Sequence, residues 1–314
     1  MPQNRVNFRK TETEFIMFDL NTLQNITLND KDLLEPFLRN LNEVSCEMSF
    51  TNLAMWHEAY GTQYAFDTAG RLILYSPVEK MIYFPRGAAI SPAELAELST
   101  LFYRSGMTEN FIYDIPSEYT VSNPDFEKYF TIDETEDNFD YLYDNKRLSN
   151  CEGNRLRKKR NLIKQFLNAN FDCKIITLSE TTAERFLNLA LKLNSMLDQC
   201  DFLTDENKVI SFACKHLQEL SLNGILLTDN NGNDVGFSIW SLLNKNVADI
   251  HFEKADHSVK GAAQFLTQQA AQILDSQNVT YMNREQDLGD PGIRRAKHSL
   301  DPAMLYKRVG ASVR

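Results

Sequence analysis

The densest group of side chains able to do chemistry is Asn283-Arg284-Glu285-Gln286-Asp287, inside YMNREQDLGDPGIRRAKHSL. It follows a stretch, Val279 to Asn283, that predicts a strand, and in open α/β sheets ligands gather at strand ends. Carboxylates beside an arginine and two amides can hold an ammonium group, take a proton or steady an oxyanion. Glu285 and Asp287 are therefore candidate catalytic groups. Asn283, Arg284, Gln286 and Arg294 are candidate substrate contacts. The plain alternative is a capped helix, with Asp290 as N-cap, Pro291 opening it, and Arg294, Arg295 and Lys297 on a solvated face. That explains Asp290 and Pro291 but not the run before them.

A second group is FEKADHSVKGAAQFL, a strand feeding a polar loop and a helix that starts at Gly261. First-turn amides are unpaired and the dipole there is positive, so a phosphate is favoured, more so beside Lys260. Ser258, Lys260, Gly261 and Ala263 are the candidate phosphate-binding residues. The small ones leave room for close approach to the backbone. Glu253 is a third candidate catalytic carboxylate, with the amides near Phe252 and Glu253 placed for an oxyanion. Small residues packed under a sheet are the alternative. His251 reads as a hydrogen-bonded core residue before a catalytic base. The basic run holding Arg155, Arg157, Lys158 and Arg160 opens a further helix. Cations there oppose the dipole, a cost that a phosphate ligand would relieve, so these four are candidate contacts for a phosphate backbone such as that of RNA, a solvated surface being the plain alternative.

These groups need elements to position them. Apolar spacing predicts helices over 181–197, 205–221 and 261–274, with strands at 224–228, 235–243, 247–253 and 279–283. In the third strand Val247, Asp249, His251 and Glu253 alternate against Ala248, Ile250 and Phe252. A short helix over 290–300 and a closing strand over 304–309 follow. The first half repeats this order. Helices fit 30–41, 48–59 and 91–106, and strands fit 62–67, 71–76, 80–84 and 111–115. Its loop Pro85 to Ala89 keeps a glycine but no cluster like NREQD, so this half reads as scaffold and one wall of a cleft. The boundary falls near residue 150, where an acidic run (125–144) meets a basic one (146–160).

The 314 residues suit two domains, each with its own core. The net charge of −10 excludes a general nucleic-acid coat. Five scattered cysteines form no CxxC, so neither a disulfide framework nor a metal site is expected, and reduced thiols in a cytoplasm fit best. The N-terminal residues lack an apolar signal core, and no stretch approaches a membrane span. GxGxxG, GxxxxGK[ST], HExxH and GxSxG are absent.

The strand–loop–helix order resembles the GCN5-related acyltransferase fold, whose loop [QR]-x-x-G-x-[GA] cradles a donor pyrophosphate. Gly261 and Ala263 match it, whereas Ser258 stands where Gln or Arg is expected. KRNLIKQF, FEKADHSVKGAAQFLTQQ, SFTNLAMWHEAYGTQY and above all YMNREQDLGDPGIRRAKHSL resemble a bacterial family of unassigned function. That family is grouped with the catalytic C-terminal domain of phosphatidylglycerol lysyltransferases. The resemblance implies an α+β fold of two tandem acyltransferase-like domains, 1–150 and 151–314, each a mixed, mostly antiparallel sheet flanked by helices. It implies transfer of an aminoacyl group from aminoacyl-tRNA, held by its acceptor end, to an amine or lipid hydroxyl on a small molecule, peptide or lipid. The alternatives are an acyl-CoA-dependent N-acyltransferase and a non-catalytic binding module. A binding module would close Glu285 and Asp287 in salt bridges with Arg284 and Arg294. An enzyme would leave them lining an open cleft.

Overall fold

In the computed structural model, residues 18–39, 44–197 and 201–314 are described. The expected helix end at 40–41, the opening segment and Cys200 lie outside them. The first half forms strands β1 (Gln24–Asn25), β2 (Gln63–Phe66), β3 (Leu72–Ser76), β4 (Met81–Tyr83), β5 (Phe111–Pro116), β6 (Phe130–Asp133) and β7 (Asp140–Asp144). The second half adds β8 (Lys174–Thr177), β9 (Asn223–Thr228), β10 (Asp234–Asn244), β11 (Val247–Ala255), β12 (Tyr281–Asn283), β13 (Met304–Tyr306) and β14 (Arg308–Val313).

Two mixed, mostly antiparallel sheets result, with the orders β1-β2-β3-β4-β5-β14-β6 and β13-β7-β12-β11-β10-β9-β8. Each has one parallel step, β4 with β5 and β11 with β12. The strand orders correspond, as the repeated pattern predicts, except that each half gives its last strand to the other. β7 pairs with β12 and β13, and β14 pairs with β5 and β6. Neither sheet is therefore built from one side of residue 150 alone. The single closing strand expected at 304–309 is two strands, β13 and β14, in different sheets. β6 and β7 were hidden in the acidic run.

Most helices form where the apolar spacing places them, but the one expected over 205–221 runs over Asp201–Lys215. Ser91 and Glu94 make a reciprocal capping box ahead of Pro92–Arg104, and Asp290 accepts from the Gly292 and Ile293 amides ahead of Pro291–His298. The second helix of the first half is two short ones, Phe50–Met55 and His57–Tyr60. One apolar cluster spans both halves, packing Leu34, Phe50 and Leu53 with Phe186, Ile210 and Phe237.

Alternation in β11 fails at one point. Ile239 faces Phe252 and Trp240 faces Ile250, so His251 is an extra residue, a β-bulge. Ile250 then packs into the core beside Leu266 and Ala270, whereas Phe252 packs into the cluster shared by both halves. The face expected to carry Asp249, His251 and Glu253 together is thereby split.

The exchanged strands are tied at their first residues. Arg308 of β14 is fully buried and pairs with buried Asp140 of β7, with Asp114 of β5 at 3.3 Å and with Glu47 at 3.8 Å. Removing one partner of a buried ion pair leaves uncompensated charge. Arg308→Met should lower stability by about 3–5 kcal/mol, read as the shift in urea midpoint; a change below about 1 kcal/mol would show that the pair does not hold the exchange.

Candidate functional site

β11 and β12 pair only from Val247–Asp249 against Tyr281–Asn283. Beyond that β11 runs on to Ala255, and the strands part around a cleft of about 490 Å³. Glu253, Arg284, Thr267, Lys159, Ser258 and Ala263 are among its lining residues. Arg284 Nη1 lies 2.9 Å from Glu253 Oε1, bridging the parted strands, and Thr267 Oγ1 donates to the same oxygen at 2.6 Å. Glu253 Oε2 is buried and has no hydrogen-bond partner in the structure.

The loop before helix Ala262–Ser276 is held from within. The Ser258 hydroxyl and amide donate to Asp256 Oδ1 at 2.6 and 2.9 Å, and Lys260 is exposed. Gly261 adopts φ +85°, and a Cβ there would sit 2.2 Å from the Leu162 carbonyl oxygen. Close packing of two helices is thus sufficient reason for this glycine. Ala263 lies at the cleft wall.

The basic run divides. Arg155 pairs with Asp301 at 2.6 Å, and Arg160 donates to the Cys151 and Gly153 carbonyls. Arg157 and Lys158 are exposed. Lys159 turns into the cleft, donates to Ser299 Oγ at 2.8 Å, and is pushed down by burial and by Arg284. Lys159 belongs to the basic run but not to the four candidate contacts within it. The signal was there, because Lys159 lies three residues after buried Leu156 and four before buried Ile163.

The NREQD residues go separate ways. Asn283 is fully buried, donating to the Val44 carbonyl at 2.7 Å and Asp140 Oδ2 at 2.8 Å, while its Oδ1 accepts from the Glu285 amide at 2.7 Å. Asp287 is closed in. Burial pushes its carboxyl up, but Arg294, the Tyr141 hydroxyl at 2.6 Å and the Gly289 amide outweigh this and bring it to about 2. Arg294 is shared between Asp287 and Asp137. Arg284 faces the cleft, whereas Glu285 and Gln286 line a second cavity of about 400 Å³.

Much of that second cavity is surface of the first half, which the sequence reads as scaffold and one wall of a cleft. Glu47, Trp56, Tyr60, Glu79, Tyr83 and Tyr113 belong to it. Glu47 accepts from Gln286 Nε2 at 3.1 Å. Burial, with Asp114, Asp140 and Glu285 nearby and Arg308 opposing, pushes its carboxyl up to about 7. A general base at neutral pH needs a value of that kind. No local motif announces Glu47, since only the folded chain brings those charges to it.

Residues 38–309 match the family model described as phosphatidylglycerol lysyltransferase, C-terminal. The chain belongs to this family. A conserved protein of unknown function from Bacteroides thetaiotaomicron shares 26% identity and a TM-score of 0.83, over 93% of this chain and 99% of that one. L-PGS from Bacillus licheniformis is similar at 15% identity and a TM-score of 0.61, over 90% and 91%. A tandem GNAT protein from the clavulanic acid biosynthesis pathway shares the fold at 8% identity and a TM-score of 0.50, over 92% and 98%. The fold is thus acyltransferase-like in both halves, and the role is one related to the lysyltransferases. Among the described residues no helix is long and apolar enough to cross a membrane.

The packing at Gly261 has a measurable consequence. Gly261→Ala should lower the Tm by several degrees without any ligand present, because both the φ and the Leu162 carbonyl resist a side chain. An unchanged Tm with weakened donor binding would instead make this glycine a ligand contact.

Proposed function

We propose that this protein transfers an aminoacyl group from aminoacyl-tRNA to an amine or hydroxyl acceptor. One observation carries the reading: Arg284 and Glu285, adjacent at the end of β12, face different cavities. On the Arg284 side lie Lys159 and a helix N-terminus, with Lys254 paired to Glu206 at 2.8 Å. On the Glu285 side lie Glu47 and Glu79 among the faces of Trp56, Tyr60, Tyr83 and Tyr113. A donor with phosphates at one end and an ammonium at the other matches both, since cations and first-turn amides suit phosphate, and carboxylates with aromatic rings suit ammonium. An acyl-CoA offers the phosphates but no ammonium. The Arg284–Glu253 bridge and the Ser258 hydroxyl, taken up by Asp256, also fit a donor without pantetheine.

In this reading the terminal phosphodiester of the tRNA sits by Lys159, Lys260 and Ala263, with Arg157 and Lys158 on its backbone. The aminoacyl group reaches past β12 into the second cavity, its ammonium toward Glu79 and the rings. The acceptor nitrogen or oxygen attacks the ester carbonyl carbon as Glu47 takes its proton. Amides of β11 beyond Asp249 steady the oxyanion. Collapse breaks the ester C–O bond, and the leaving ribose oxygen takes up the proton that Glu47 accepted. The ester is already activated, so orientation and proton transfer are the main demands. The half before residue 150 supplies Glu47, Glu79 and the aromatic rings of the ammonium side, and the half after it supplies Glu285 and the phosphate side.

The test is incubation of the full chain with tRNAs charged with single radiolabelled amino acids, together with amines or phosphatidylglycerol vesicles. Label should move to an acceptor, with a marked preference for one amino acid. A saturable thermal shift with acetyl-CoA and acetyl transfer, alongside inert charged tRNA, would install the acyl-CoA reading instead.

A second expectation concerns pH. The carboxyl of Glu47 must be ionised to accept a proton, so kcat/KM should rise as pH increases toward about 7 and then level. Glu47→Gln should lower it by about 10²- to 10⁴-fold and flatten that limb. A profile unaltered by the substitution would remove Glu47 from proton transfer.

A further inference from the structure

We propose that Asp249, His251 and Glu285 bind one divalent transition-metal cation of the Zn²⁺ or Mn²⁺ type. His251 Nδ1 lies 3.6 Å from Asp249 Oδ2 and 3.6 Å from Glu285 Oε1, and one ligand atom from each residue lies within 4.8 Å of the others. Donors held about 2.0–2.2 Å from a tetrahedral ion are themselves about 3.4 Å apart, close to the separation of the imidazole nitrogen from each carboxylate oxygen. They are too far apart to be one another's hydrogen-bond partners.

The groups are also unsatisfied. Asp249 is fully buried, and neither of its carboxylate oxygens has a hydrogen-bond partner in the structure. Nδ1 of His251 has none either, although the ring is buried. Such groups are costly unless something completes them. The cation next along, Arg308, is engaged by Asp140, Asp114 and Glu47. Two carboxylates and an imidazole facing one point form a mixed oxygen and nitrogen donor set, which suits borderline divalent ions better than Ca²⁺ or Mg²⁺.

The surroundings pre-arrange the set. The bulge at His251 turns its ring out of register, and Nε2 lies 2.8 Å from Ser241 Oγ, fixing the ring and leaving Nδ1 inward. Glu285 has φ 56°, and Asn283 Oδ1 holds its amide. Lys297 Nζ donates to the Arg284 and Glu285 carbonyls at 2.6 and 3.0 Å. Glu285 borders the second cavity, so open coordination positions face a chamber large enough for substrate. The site rests on these contacts and not on the identity of the donor. Sequence spacing concealed it, because residues 249 and 251 meet 285 only across the parallel β11–β12 step.

The experiment is calorimetric titration of the metal-stripped full chain with Zn²⁺, and separately Mn²⁺, without tRNA or acceptor. One ion per chain should bind, with a rise in Tm. Asp249→Asn and His251→Gln should each weaken binding by more than the roughly 10- to 100-fold typical of an outer-sphere change, and Ser241→Ala by an amount within that range. Glu285→Gln, at a position open to the cavity, guards against a folding artefact. Its Co²⁺ form should show an altered visible spectrum. Absence of stoichiometric uptake of either ion overturns the proposal, as does binding that all four variants leave unchanged. Stoichiometric uptake with no aminoacyl transfer would sink the functional reading and leave the metal site standing.

Discussion

The fold hangs on a buried charge pair at the crossing of two exchanged strands. Arg308 opens β14 and Asp140 opens β7, and each strand has left its own half to enter the other sheet. A buried guanidinium is tolerable only when carboxylates and hydrogen bonds surround it, so Asp114, Asp140 and Glu47 must converge there. Asp140 also accepts from the Cys46 amide and from Asn283. Strand exchange, the wall of the second cavity and the turn that aims Glu285 are therefore one network.

A single extra residue makes the second half two-sided. Without the bulge at His251, Asp249 and Glu253 would share a face. With it, Glu253 meets Arg284 and Thr267 in the cleft, while Asp249 and His251 face Glu285. The end of β12 repeats the division, sending Arg284 one way and Glu285 the other. A cleft of mixed charge and a cavity lined by carboxylates can then lie close together. Asp287, closed under Arg294 and Tyr141, serves as the brace of this turn. Of the two arrangements weighed from sequence, Asp287 fits the closed one and Glu285 the open one.

Much of this was legible beforehand, for a local reason. Helix 262–276, the Asp290 cap and strands β9 to β12 follow from apolar period and capping chemistry, which act within a few residues. The family resemblance rested on contiguous segments, and the match over residues 38–309 agrees with it. Strands β6 and β7 were not legible, because acidic residues mask a strand pattern whose partners come from the far end of the chain. Lys159 was legible in principle, from its place on the apolar stripe of its helix.

By itself, then, the sequence determined most of the helices, strands β9 to β12, the repeated order of the halves, the family and the polar strand end. Those depend on neighbours within a few residues or on contiguous motifs. Tertiary structure alone decided which sheet each terminal strand joins, which of the clustered carboxylates are braces and which face a cavity, and that Glu47 belongs with Glu285. The physical reason is that a carboxylate's role is set by its burial and by the charges around it. Here those charges come from β5, β7 and β14, which are distant in sequence and meet only at the exchange.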